Sequence, residues 1–137
     1  MITLQLAQQL KAAGLRWQPH DHDFFAVPER EMDDRVFVIS DMSILVEILQ
    51  GWPAITFNGS VEWALDYVLA MEVVWLPTSN QLLTALGQAF TGLTRQGEQF
   101  VCAIEWGGEQ ETFAAATPDD AYAQALLTML LASQPVS

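Results

Sequence analysis

His20-Asp21-His22-Asp23 is the segment whose side chains come nearest to a metal-ligand set. In an extended chain, residues i and i+2 point to the same side. Two imidazoles so placed can share a Zn²⁺, with a third ligand drawn from Asp33, Asp34 or Asp41. The spacing matches no diagnostic motif, and a stable site needs three or four ligands with a supporting shell. The segment therefore reads as a polar turn ahead of a strand. His20, His22 and Asp23 are its metal candidates, and neither a metal nor another cofactor is assigned.

Glu29, Glu31, Asp33 and Asp34 offer paired carboxylates for acid–base work. Such work requires one carboxyl to be desolvated so that it holds its proton near neutral pH. Arg30 and Arg35 lie among them, and the stretch PEREMDDR reads as a solvated loop. It also lacks the D-x-[DN]-x-[DN]-G order of a calcium loop. Cys102 could act as a nucleophile only as a thiolate. It sits mid-strand among apolar residues with no cation nearby in sequence, so burial is the expectation. G-x-S-x-G, H-E-x-x-H and G-x-G-x-x-G are all missing from the sequence. No catalytic residue is assigned, and the chain reads as a non-enzyme.

The five tryptophans are the better lead. A buried indole N–H needs an acceptor, so five are hard to bury completely. Trp17, Trp52 and Trp106 stand beside proline or glycine at expected turns, and Trp75 lies in an uncharged stretch. These four are the candidate partner-binding residues. An exposed tryptophan rimmed by acids has the make-up of a binding hot spot. The competing reading is that the indoles cover the ends of the core.

Charge narrows the partners. Seventeen acidic residues face five basic ones, a net charge of −12. Residues 21–72 carry eleven acids against two arginines, and residues 98–137 carry six acids and no base. Residues 73–97 hold Arg95 alone. Binding a phosphate backbone needs several lysines and arginines on one face. Direct nucleic-acid contact is thus excluded as an expectation, and a protein partner or a second copy remains. The acids themselves could mask a basic surface, as a DNA mimic or an immunity-type inhibitor does. They also simply keep an apolar chain soluble.

These residues must be positioned by a chain of 137 residues, 51% of it hydrophobic. That is one domain's length, enough to bury roughly two-thirds of the unfolded surface without a staple. A single cysteine permits no internal disulfide and suits a reducing cytoplasm. The N-terminus lacks a basic region ahead of an apolar one, so no signal peptide is read. The charge-free run 73–94 is broken by Pro77, Asn80 and Gly87, so no membrane insertion is expected.

Thr3 caps a first helix, to about Ala13, and Gly14 suits its end. Strands are expected at 24–27, 36–39, 54–57 and 73–76, with a break at Gly51-Trp52-Pro53. Residues 41–50 fit a buried strand or a short helix equally well. Asn58-Gly59 turns the chain and Ser60 opens a helix to about Met71. Thr78-Ser79-Asn80-Gln81 is a capping box for a helix with Leu82, Leu83, Leu86 and Phe90 on one face. Residues 98–116 alternate as a hairpin about Gly107-Gly108, with Cys102 facing Phe113, Ile104 facing Glu111 and Trp106 at the tip. Thr117 caps a last helix, Pro118 takes its first position, and Asp119 and Asp120 fill its first turn. The order predicts a single α+β domain over residues 1–137. Its sheet is mostly antiparallel or mixed, with about four helices and a C-terminal hairpin followed by a helix.

The segments AGLRW, DRVFVISDM, GWPAITFNGSVEWALDYVL, VVWLPTSNQLL and ETFAAATPDDAYAQALL together resemble a family of short bacterial and phage-borne proteins. Some of its members carry a pilus-assembly label. The resemblance covers most of the chain and rests on tryptophan, proline, glycine and core apolars, which specify a fold and no active site. The label normally belongs to a much larger ATPase-like protein. This chain has no G-x-x-x-x-G-K-[ST] loop, so the resemblance implies association at most, and no functional residue carries over.

The function expected is a non-catalytic protein-interaction module, with self-association open to it. The acidic inhibitor is the alternative, and a metal-dependent enzyme using His20 and His22 ranks last. On this reading, dialysed protein carries no Zn²⁺, and added Zn²⁺ leaves its melting temperature unchanged in a thermal-shift assay. A large Zn²⁺-dependent rise would restore the metal site.

Overall fold

The computed structural model describes residues 1–18, 20, 22–27, 32–38, 44–49, 52–57, 67–69 and 73–133. The protein is α+β. Its residues gather into two compact units, Met1–Arg16 with Leu76–Ser137, and Trp17–Trp75.

The first of these units opens with α1, Leu4–Ala12. Thr3 caps it by accepting the Leu6 N–H at 3.4 Å. The chain leaves through Gly14 at φ 104°, a conformation that costs a residue without Cβ little. There the Leu15 N–H reaches the Leu10 carbonyl and the Gly14 N–H reaches that of Lys11, a Schellman ending. Helix α2, Ser79–Leu86, carries the complete capping box: Thr78 Oγ1 accepts from Gln81 N at 3.3 Å, and Gln81 Oε1 accepts from Thr78 N at 2.9 Å. A 3-10 turn follows at Gly87–Ala89.

Three antiparallel strands come next: β7, Phe90–Gln96, β8, Gln99–Trp106, and β9, Glu109–Ala115, in the order β7-β8-β9. (Strands β1 to β6 precede them in the chain and are placed below.) Phe90 was expected on the α2 face and instead begins β7. Gly87 at φ 60° ends the helix, and Phe90 pairs with Ile104 on β8. In the hairpin of β8 and β9, Cys102 lies opposite Phe113, Ile104 opposite Glu111 and Trp106 opposite Glu109. Gly107 and Gly108 both have positive φ, 62° and 82°, which suits the right-handed twist of a tight hairpin.

Helix α3, Pro118–Ala132, closes the unit. Thr117 caps it by accepting the Asp120 N–H at 3.2 Å, with Pro118 in the first turn. It packs on β8 and β9 and also against α1 and α2. Neighbours on several sides explain why it is apolar around most of its girth. Ala121, Ala123, Ala125 and Leu126 of α3 are buried, as are Cys102 and Ile104 of β8. Ile2, Ala7, Leu10 and Ala13 supply the α1 side of the core, and Leu82 and Leu86 the α2 side.

Two adjacent carboxylates join the three helices. Asp120 Oδ1 accepts the backbone N–H of Thr3, the α1 cap, at 2.8 Å. Asp119 Oδ1 accepts the hydroxyl of Ser79, the first residue of α2. The Met1 ammonium stands 3.3 Å from Asp119 Oδ2. Both aspartates are 8% exposed and occupy the first turn of α3, where the helix dipole favours negative charge.

The second unit is built from short strands. β1, Phe24–Val27, pairs antiparallel with β2, Met32–Val38, and the sheet order β2-β1-β6 adds Val74–Leu76 as β6. Met32–Arg35, expected in a solvated loop, belong to β2, where Met32 pairs with Val27 of β1. Glu29, Arg30 and Glu31 lie outside the described residues. A second sheet has the order β3-β4-β5, formed by Ile44–Leu49, Trp52–Phe57 and Tyr67–Leu69. Residues 44–49 are thus strand, settling the choice that periodicity left open, and each pairs with a residue of β4. Trp52 and Pro53, expected as a break, begin β4. Pro53 precedes the stretch paired with β5, Ala54–Thr56, and a proline is tolerated near a strand's start.

The helix expected from Ser60 to Met71 is corrected at Tyr67–Leu69, which is a strand. Aromatic and β-branched side chains suit that state once β4 supplies a partner. Residues 58–66 and 70–72, with Trp63, lie outside the described residues. The described residues hold three α-helices rather than about four, and no helix among them is long and apolar enough to cross a membrane.

Asp120→Ala removes the acceptor that α1 depends on. We expect it to lose about 1–3 kcal/mol in urea denaturation. Hydrogen exchange should quicken across Thr3–Ala13 before it does in α2. Unchanged α1 protection would mean that apolar packing alone holds that helix.

Candidate functional site

The histidine segment forms a turn, not an extended strand. His22 has φ 73°, and the Asp23 N–H returns to the His20 carbonyl at 3.2 Å. The argument that two imidazoles share one side therefore loses its geometry. Asp23 is 4% exposed. Its Oδ2 accepts the Trp17 indole N–H at 2.9 Å and the His20 backbone N–H at 3.0 Å. His20 Nδ1 lies 2.6 Å from the Gln18 carbonyl, a hydrogen bond in which the ring nitrogen donates. Asp23 is thus occupied in shaping the corner that leads into β1. Among the described residues, no three His, Cys, Asp or Glu side chains are grouped as a metal would require. Asp21 and Asp41 lie outside the described residues, and Asp33 and Asp34 belong to β2.

Trp17 is half-buried, and its ring stands 5.8 Å from that of Phe25 at a 33° tilt. With its N–H on Asp23, it serves as a packed corner residue, and its indole is satisfied without a partner protein. Trp52 takes the first position of β4, opposite Leu49. Trp75 is half-buried on β6, and its Nε1 is buried without a hydrogen-bond partner among the described residues.

Cys102 is fully buried at the centre of β8, between Leu93 on β7 and Phe113 on β9. Burial pushes its thiol from 9.0 up to about 11, so little thiolate forms near neutral pH. Tyr122 of α3 is raised too, first by burial and then by the neighbouring Cys102 and Asp119 charges. Its ring meets Phe90 edge-on at 5.7 Å and 83°. This group is core, with an acidity that favours the neutral forms.

Trp106 has a different setting. It is half-buried, at the last position of β8 before the Gly107-Gly108 turn. Antiparallel pairing sets Glu109 directly across from it, and directly opposed side chains have Cβ atoms about 5 Å apart. Glu111 lies two residues further along the same face, because the side-chain period of a strand is two. Glu105 precedes Trp106 on the other face, opposite Gln110. Glu105 and Glu109 are exposed and Glu111 is half-buried. None of the three has an ion-pair partner among the described residues. Arg95, the cation of β7, is at the far end of the sheet. It pairs with Phe100, its guanidinium carbon 5.9 Å from the ring centroid, and its Nε donates to the Gly97 carbonyl.

The tip therefore sets Trp106 on one face with Glu109 and Glu111, carboxylates that have no ion-pair partner among the described residues, and Glu105 on the opposite face. Chemically it suits a cation: the indole face attracts an ammonium or guanidinium group, and the carboxylates supply charge-assisted hydrogen bonds. The hairpin reading has Trp106 at the tip and Glu111 opposite Ile104, whereas Glu109 is not named in it. The signal for Glu109 was present, since it precedes Glu111 by two and so shares its face.

The neutral segment 73–97 gives part of its length to the core, while Thr91 and Thr94–Gln96 on β7 are exposed. Val73, Val74, Leu76, Pro77, Leu82 and Leu86 are all buried.

Two checks follow. Iodoacetamide should label Cys102 slowly in native protein and fast in urea. A raised thiol pKa favours folding fully below pH 9, and that contribution should fall as pH rises from 9 towards 11, because the unfolded thiol ionises first. Asp23→Ala should cost about 1–3 kcal/mol and weaken the near-ultraviolet signal of Trp17, because two N–H donors lose their acceptor. No family model, characterised protein or solved structure matches this chain.

Proposed function

We propose that this chain is a non-catalytic protein-interaction module, and that the Gly107-Gly108 tip meets a partner surface bearing lysine or arginine. The observation that carries this reading is Trp106, half-buried and opposed by Glu109, with Glu111 further along the same face and no cation paired to either acid among the described residues. A net charge of −12 supports it, because such a field attracts a basic partner and speeds encounter. An associating role is also what the resemblance to pilus-labelled sequences implies. The thiol offers no competing chemistry, being buried and held neutral.

Acid display over a broad surface, as a DNA mimic requires, draws less support. Asp23, Asp119 and Asp120 accept hydrogen bonds from inside the fold. Those three carboxylates serve folding.

Calorimetric titration with a lysine- and arginine-rich peptide tests the reading, against a matched glutamate peptide as control. The basic peptide should bind, more weakly at high salt. Trp106→Ala should weaken it about tenfold or more while circular dichroism stays unchanged. Equal affinity for both peptides, or an unaffected Trp106→Ala variant, would refute a tip-centred site. Light scattering covers self-association, since a dimer lost in Trp106→Ala would assign the tip to a second copy instead.

A further inference from the structure

We draw no further inference here: the strongest candidate, the apolar second half of α3 where Leu131 is exposed and Leu127, Met129 and Leu130 are half-buried, is an unpartnered helix face and nothing in the structure shows what covers it.

Discussion

Two neighbouring carboxylates organise the helical unit. A helix start leaves backbone N–H groups without intrahelical partners. In this unit Asp119 and Asp120 stand in the first turn of α3 and also receive donors from the starts of α1 and α2. Their charge is favoured by the dipole of their own helix. Three helix starts thereby meet at one point, and the apolar faces of α1 and α2 are aimed at α3. Burial of Leu10, Leu82 and Leu126 supplies the larger free energy, about 1.5–3 kcal/mol for each such side chain. Packing is non-directional, however, and does not specify where each helix begins. The aspartates do, since leaving either acceptor unmatched in a buried place is costly.

Asp23 plays the same part in the other unit. One carboxylate oxygen takes an indole N–H and a backbone N–H, and the turn is closed by the Asp23 N–H itself. The outcome is a corner with Trp17 laid against Phe25. Acids that looked like display charge thus divide into two kinds. Asp23, Asp119 and Asp120 are buried acceptors, and Glu98, Glu105 and Glu109 face solvent. Net charge alone does not separate these kinds, because separation depends on which donors the fold brings near.

Local grammar was legible in the sequence and tertiary pairing was not. Thr3, Thr78 and Thr117 were recognisable as caps because a cap and its donor lie three residues apart. The alternation of residues 99–106 was readable for the same reason, as its period is set within one strand. Misreadings fell where the deciding partner is distant. Phe90 continues the α2 spacing, yet Ile104 makes it a strand residue. Tyr67–Leu69 continue an apolar run, yet Ala54–Thr56 make them strand. Asp120 was expected to complement the α3 dipole, but its bond to Thr3 spans 117 residues. At the tip, Trp106 and the pairing of Ile104 with Glu111 were visible from the glycine pair, because a two-residue turn fixes the register of both strands.

If the proposed contact is made at this end, the same register favours side chains over an added strand. An exposed edge invites pairing unless it is guarded. On β7 the register shifts between Phe90 and Gly92, and Arg95 adds an exposed charge. On β9 Glu111 shares the face of buried Ile104, and a charge on the inner face of an edge strand opposes another strand laid beside it. Both edges of the β7-β8-β9 sheet therefore resist backbone pairing. Trp106, by contrast, stands half-buried where the strands end, next to the Gly107-Gly108 turn. On the proposed function, a guarded edge and the tip would direct a basic partner to the indole and its carboxylates, where specificity comes from charge and shape rather than from a repeating backbone ladder.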